Sequence, residues 1–365
     1  MVTSFTEILT ITTLIQLFYW IYFFRQVANY SPNNSSGQNI TPFSILICVK
    51  NDLSSVIENI DSWVSQNSNQ KEILIIDDFS CIEFKHFIEK EMLKKQNLSY
   101  YKVKTNLPGK KQAIKEGLSL SRYNWTLLTD ADCQPNSNNW AQLMLSTALE
   151  NNKSIVLGYS PYRVTSKSLL FLWIHFEAWL TGLLYLSFSL KGLPYMGVGR
   201  NLLYNKAIVS DEALIKNTDI ISGDDDLLIS QISNATNTTI CIEPESFCYT
   251  SPKTSWSTYF SQKLRHFSTA SRYKFKHQVL LSTFSISQFI FYLFLILCVF
   301  NDAWEVSLIC YSVRLFIIMP IVLKNIKKLK AEFSIFQFLV LDFLLSLYYL
   351  FFSFSFLWPK SKKWY

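Results

Sequence analysis

The chain has 365 residues, of which 49% are hydrophobic, 16% aromatic and only 17% charged, and its formal net charge is +7. A length between one and two average domains, with apolar residues gathered in blocks at both ends, describes a membrane protein with a soluble middle. The excess Lys and Arg flank the apolar blocks, so anionic lipid headgroups rather than nucleic acid are the expected partner, and seven scattered cysteines without a C-x-x-C pair support neither a disulfide framework nor a zinc site.

In chain order, Ile8 to Phe24 carries no charge and is long enough to cross a thin bilayer, with Trp20 and Tyr22 as interfacial anchors. Glu7 before it, in place of a cation, argues for a retained anchor over 1–28 rather than a cleaved signal peptide. A polar stretch, Ser31 to Asn39, reads as a linker. The run Phe43 to Val49 has the composition of a strand buried on both faces. A helix at 52–66, a second buried strand ending in Asp77-Asp78, a lysine-rich helix near 83–96 and a short strand at 100–103 follow. A helix at 110–121 and a strand at Trp125 to Thr129 complete an alternation that predicts an open, mostly parallel α/β sheet.

The segment 168–190 is rich in Phe, Leu and Trp but holds His175 and Glu177, which predicts either an amphipathic helix on the membrane surface or a buried core helix. Three apolar blocks, at about 279–300, 304–323 and 333–357, predict a C-terminal membrane region over 276–365. Lys324, Lys327, Lys328 and Lys330 place the loop between the second and third blocks in the cytosol, and counting back two crossings places 25–278 there too. Three full crossings would leave the tail Lys360-Ser361-Lys362-Lys363 outside, and Asp342 raises the alternative of a last block that bends back or lies in the interface.

Ligands of an open parallel sheet bind beyond the carboxyl ends of its strands, where two of these strands finish in aspartates. Asp77 and Asp78 can serve a ligand or simply a turn. Asp130 and Asp132 alternate on leaving a strand and so can face one cation, and two hard oxygen ligands suit Mg²⁺ or Mn²⁺ completed by a diphosphate and water. Asp224, Asp225 and Asp226 repel one another unless a cation, a raised pKa or a helix N-terminus relieves them, and one could act as a general base. Lys110 and Lys111 stand at a helix start, where ammonium groups and backbone amides attract phosphate.

The ordered series Lys50-Asn51-Asp52, Ile76-Asp77-Asp78-Phe79-Ser80, Gly109-Lys110, Asp130-Ala131-Asp132, Gly197-Val198-Gly199-Arg200-Asn201, Gly223-Asp224-Asp225-Asp226 and Gln262-Lys263-Leu264-Arg265-His266 resembles the family 2 glycosyltransferases, especially the bacterial membrane-bound type. The resemblance covers about 43–275 and implies a Rossmann-like GT-A catalytic domain over 40–275, with one N-terminal and about three C-terminal membrane helices. It implies that Asp78, with Asp77 beside it, binds the base of a UDP- or GDP-sugar. It places Lys110 near the donor diphosphate, and Asp130 and Asp132 as the D-x-D pair holding ribose and Mg²⁺ or Mn²⁺. Asp225 aligns with the general base of an inverting single displacement, Asn201 and Asp224 with the acceptor side, and Gln262 and Arg265 with a Q-x-x-R-W motif near the donor. The implied acceptor is a lipid-linked or cell-envelope glycan at the bacterial inner membrane, with the catalytic domain cytosolic. His266 replaces the motif's Trp, which speaks against the processive polysaccharide synthases. A non-catalytic membrane scaffold on the same fold is the competing expectation, and the absence of glycine after the first strand argues against a nucleotidyltransferase.

Overall fold

A computed structural model describes residues 2–32, 41–68, 70–104, 109–164, 166–216, 223 and 225–354. Asp224, most of the Ser31–Asn39 linker and the Lys360–Lys363 tail lie outside the described residues. The chain begins with α1 (Val2–Phe18), which runs through one wider π-helical turn, Tyr19–Phe24, into α2 (Arg25–Asn29). Next come β1 (Phe43–Val49), α3 (Leu53–Val64), β2 (Lys71–Asp77), α4 (Ile82–Met92), β3 (Leu98–Lys102), α5 (Lys110–Leu120) and β4 (Trp125–Asp130). They are followed by β5 (Cys133–Pro135), α6 (Trp140–Glu150), β6 (Ile155–Gly158), α7 (Leu169–Leu190), β7 (Leu202–Asn205), α8 (Asp211–Ile215) and α9 (Asp226–Ile232). The chain continues through β8 (Thr238–Cys241), β9 (Cys248–Thr250), α10 (Trp256–Ala270), α11 (Phe275–Phe300), α12 (Trp304–Lys328) and α13 (Ile335–Ser353).

Two units result: a sheet unit from residues 41–164 and 192–253, and a helical unit from 2–30, 166–191 and 254–354. In the sheet unit seven strands stand in the order β3-β2-β1-β4-β7-β6-β8. The first four are mutually parallel, β7 is antiparallel to both β4 and β6, and β8 runs parallel to β6. Every residue of β1 is buried, because helices cover both faces. On one face Ile45, Ile47, Val49, Ile73 and Leu127 pack with Val56, Ile60 and Trp63 of α3, Phe84 and Ile88 of α4 and Trp140 and Met144 of α6. On the other, α5 comes so close at Gly117 that a Cβ there would overlap Leu46 and stand 3.1 Å from Ile76 Cγ1. A small second sheet pairs β5 with β9, Cys133 opposite Thr250 and Pro135 opposite Cys248.

The mostly parallel α/β expectation holds, with the predicted strands and helices shifted by a few residues at their ends. Strands β5 to β9, of three or four residues each, add the antiparallel half that the apolar runs did not announce.

Among the described residues, five helical segments are long and apolar enough to cross a membrane: Thr3–Asn29, α7, α11, α12 and α13. Within the helical unit, Gln16 Nε2 donates to Ser287 Oγ at 2.7 Å and Tyr19 OH to the Leu280 carbonyl at 2.6 Å, tying the N-terminal rod to α11. Asn325 Nδ2 donates to the Phe24 carbonyl at 3.1 Å and Lys328 to that of Tyr30, so the lysine-rich end of α12 lies beside the end of the rod. Arg314 and Asp342 are both buried and joined at 2.7 Å, with Tyr292 OH at 2.6 Å and Gln288 Nε2 at 3.0 Å on the same carboxylate. α13 is unbroken from Ile335 to Ser353, and a cation from the preceding helix neutralises the acid at Asp342.

Helices α7 and α10 group with the helical unit rather than with the sheet of the expected 40–275 domain. Trp173 Nε1 donates to Tyr259 OH at 2.9 Å, and Lys263 pairs with Glu177, which neutralises the acid within 168–190. Chain topology limits α7 further. Strands β4 and β6 precede it and β7, which pairs with both, follows it, so one crossing by α7 would leave a single sheet on two sides of a bilayer. A helix on the membrane surface or within the protein satisfies that constraint; a single span does not.

Candidate active site

Strand β1 sits where the sheet's order reverses: β2 and β3 extend it one way, β4 the other. A crevice opens beyond the carboxyl ends of strands at such a point. The register sets Val49 beside Asp77 and Cys48 beside Asp130, so the aspartates that end β2 and β4 flank the exit of β1.

On the β2 side the two adjacent acids divide their work. Asp77 is buried and fixed, its Oδ1 accepting from the Ser80 N–H at 2.8 Å and its Oδ2 from Tyr100 OH at 2.6 Å. Burial and that carboxylate push the Tyr100 phenol up from its ordinary value, so it stays a donor. Asp78 is also buried; its Oδ1 accepts from the Gly109 N–H at 3.0 Å, and its Oδ2 stands 3.4 Å from Lys50 Nζ. The loops after β1 and β2 are laced together: Asn51 N–H donates to Ser80 Oγ at 2.8 Å and Cys81 N–H to Asn51 Oδ1 at 3.0 Å. Asn51 and Phe79 both take left-handed backbone conformations, at φ 52° and 61°. A bulky residue rarely does so, and the partly exposed Phe79 ring lies 5.5 Å from Lys102 Nζ at the end of β3.

On the β4 side, Lys110 opens α5 and its Nζ lies 2.7 Å from Asp130 Oδ1 and 3.8 Å from Asp225 Oδ1. The other oxygen of Asp225 accepts the backbone N–H of Gly199. A Cβ at Gly199 would overlap that carboxylate, which explains a glycine there without any special backbone conformation. Segments around 78, 110, 130 and 225, far apart in sequence, therefore converge on one edge of the sheet.

Ligand atoms of Asp130, Asp132 and Cys133 lie within 4.8 Å of one another. Burial pushes the Cys133 thiol well up, so it remains protonated and donates to Asp132 Oδ1 at 3.3 Å. The donors left for a cation are two carboxylates, a hard oxygen pair that fits Mg²⁺ or Mn²⁺. Burial and the neighbouring Asp130 raise the Asp132 pKa, while the Cys133 thiol, the Arg200 charge and the Thr250 hydroxyl pull it down. Arg200 also lies 5.1 Å from the Tyr162 ring, and its carbonyl accepts from Thr129 Oγ1 at 3.0 Å. Burial opposes its charge, but Tyr162, Cys133, Asp132 and Asp130 outweigh that and keep its pKa above the ordinary value. Lys50, Gly199 and Arg200 were not selected by sequence reasoning, although each lies in a motif singled out there.

Asn201 is a correction. Its side chain is fully buried and saturated: Nδ2 donates to the Tyr159 and Ser246 carbonyls at 2.8 Å each, and Oδ1 accepts from Trp140 Nε1 at 2.9 Å. It clamps β6 and α6 to the loop before β7 and has no donor left for an acceptor sugar. Gly158 is small for the same reason, since a Cβ there would overlap the Asn201 amide. Gln262 and Arg265 lie on α10 of the helical unit, with Lys263 between them turned to Glu177.

Residues 44–211 match the family model Glycosyl transferase family 2. No curated protein matches the chain significantly. Among solved structures, the mannosyltransferase PcManGT from Pyrobaculum calidifontis, in complex with GDP-Man and Mn²⁺, aligns with 89% of this chain and 99% of its own at 14% identity and a TM-score of 0.61. TarS of S. aureus aligns over 70% of this chain and 43% of its own at 16% identity and a TM-score of 0.45. At 14% identity PcManGT speaks for the fold alone, and that fold agrees with the family match: residues 44–211 form a glycosyl transferase family 2 domain within a GT-A fold.

Proposed function

We propose that the protein is an inverting, metal-dependent glycosyltransferase that moves a sugar from a UDP- or GDP-sugar to a lipid-linked or glycan acceptor at the membrane. The observation that carries this reading is the convergence of Lys110, Asp130 and Asp225 within 3.8 Å contacts at the switch point of the sheet. Asp78 and Lys50 form the nucleotide-base corner, beside the exposed Phe79 ring. Asp130 and Asp132 hold Mg²⁺ or Mn²⁺, which supplies positive charge where the leaving nucleoside diphosphate develops negative charge. The fold neighbour PcManGT holds GDP-Man and Mn²⁺, which supports the same pairing here. Lys110 lies near the diphosphate.

Asp225 is the general base. The Gly199 N–H fixes one carboxylate oxygen, leaving the other to take the acceptor's hydroxyl proton as that oxygen attacks the anomeric carbon. One displacement from the face opposite the leaving group inverts the centre.

The helical unit anchors the enzyme in the bacterial inner membrane. The lysine-rich end of α12 lies beside Tyr30, just before the chain enters the sheet unit, so the positive-inside rule supports a cytosolic catalytic unit. The test is a screen of UDP- and GDP-sugars with membrane lipid extracts, in Mn²⁺, Mg²⁺ or chelator. Metal-dependent transfer from one donor is the expected result; no metal-dependent binding of any donor would favour a non-catalytic scaffold.

A further inference from the structure

We infer that Lys110 is a stand-in for the divalent cation: its ammonium occupies the Asp130 carboxylate until a donor diphosphate draws it away, so that metal binds productively only together with nucleotide. The inference rests on the reading of Asp130 and Asp132 as metal ligands. Its ground is a direct ion pair, Lys110 Nζ to Asp130 Oδ1 at 2.7 Å, which engages one oxygen of a carboxylate that would hold the cation. The same ammonium stands 3.8 Å from Asp225, so one cation bridges the metal site and the base.

Charge at the site explains why this matters. Three carboxylates, Asp130, Asp132 and Asp225, face two cationic side chains, Lys110 and Arg200. A bare divalent ion would add two positive charges to a cluster whose net charge over these five side chains is −1 and would meet an ammonium already seated on its ligand. A nucleoside diphosphate brings the missing negative charge and offers the ammonium better partners. Lys110 has the means to change sides. It stands at the first position of α5 on a long flexible stem, while its backbone is pinned one residue earlier by the Gly109 N–H bond to Asp78 at 3.0 Å. Through Gly109 the Asp78 corner is thus one residue from the ammonium's own backbone, and the donor that occupies the first displaces the second. The same movement frees Asp225 Oδ1 for the acceptor, so base and metal ligand become available in one step.

The experiment measures Mn²⁺ binding to the full chain in detergent, by loss of the free Mn²⁺ resonance signal, with MnCl₂ alone, with UDP and with GDP. The variants are Lys110→Met and Lys110→Gln, the second retaining a polar end so that folding survives if the first fails. Wild type is expected to bind Mn²⁺ weakly alone and strongly with one nucleotide. Both variants are expected to bind Mn²⁺ alone about tenfold more tightly than wild type and to gain less from nucleotide. A folded variant that binds bare Mn²⁺ no better than wild type overturns the inference while leaving the metal assignment intact. Wild type that takes up no Mn²⁺ even with UDP or GDP overturns both.

Discussion

Gly199→Ala isolates the placement of Asp225 from everything else in the crevice. The added Cβ would stand 2.6 Å from Asp225 Cγ and 3.1 Å from its Cβ, against the 3.5–4.0 Å or so of an ordinary carbon contact. The carboxylate must therefore retreat by about 1 Å, and it loses its bond from the Gly199 N–H as it goes. Nothing else forbids the substitution, because Gly199 is not in the left-handed backbone region. A misplacement of about 1 Å costs on the order of 10²-fold in rate, or about 2.7 kcal/mol of activation free energy. Donor affinity should change by no more than roughly threefold, since Asp78, Lys110 and Asp130 do not touch Gly199 in any described contact. The assay is release of nucleoside diphosphate at saturating donor, with donor binding measured separately by calorimetry. Combining the change with Asp225→Asn sharpens it: if the glycine acts only through that carboxylate, the double variant is no slower than Asp225→Asn alone. Transfer at the wild-type rate in Gly199→Ala would refute the assignment of Asp225 as a positioned base.

The other expectations can be checked on the same preparation. Asp225→Asn should lower transfer by about 10²- to 10⁴-fold while nucleotide binding persists, a split between turnover and donor affinity that calorimetry reads directly. Asn201→Ala strands the Trp140 indole N–H and the Tyr159 and Ser246 carbonyls, at about 1–3 kcal/mol for each group left without a partner, and should appear as a lower unfolding midpoint in detergent. Arg314→Met leaves Asp342 buried without its cation and should destabilise by about 3–5 kcal/mol, whereas Arg314→Met with Asp342→Leu should recover much of that; equal losses would show that the pair is not a coupled unit. Chelation should abolish transfer, and Mn²⁺ or Mg²⁺ should restore it.

What could be read in the sequence follows from how each feature is stabilised. Strands β1, β2 and β4 are buried on both faces and so appear as unbroken apolar runs, and the acids that end them stand where the chain leaves the core. Strands β6 to β9 are too short for any period to emerge, and their places come from pairing partners up to 117 residues away, as between Cys133 and Thr250. The same limit divides the site. Asp78, Asp130 and Asp225 were legible because an acid at a strand or helix end is unusual enough to stand out. Gly199 and Arg200 matter only through what the fold brings to them, a carboxylate from α9's cap and two acids from the end of β4. A polar residue in a motif does not disclose which way it faces, and Asn201 faces inward.

Charges inside the apolar helices carry the argument one step further. Taken singly, Asp342 in α13 and Glu177 in α7 are each a cost, although both helices remain apolar enough on average to cross a membrane. In the folded chain neither charge is isolated. Asp342 meets Arg314 from the preceding helix, and Glu177 meets Lys263 from α10, 86 residues on. Each pair removes the cost of burying its members only when both helices are in place. The pairs also separate two properties that mean hydropathy merges. α13 and α7 are both apolar enough to span, yet only for α7 do strands on either side of it pair with one another and forbid a single crossing. Whether a helix can enter a bilayer is thus a matter of its composition and its partners, and whether it crosses is decided by the sheet that its two ends must rejoin.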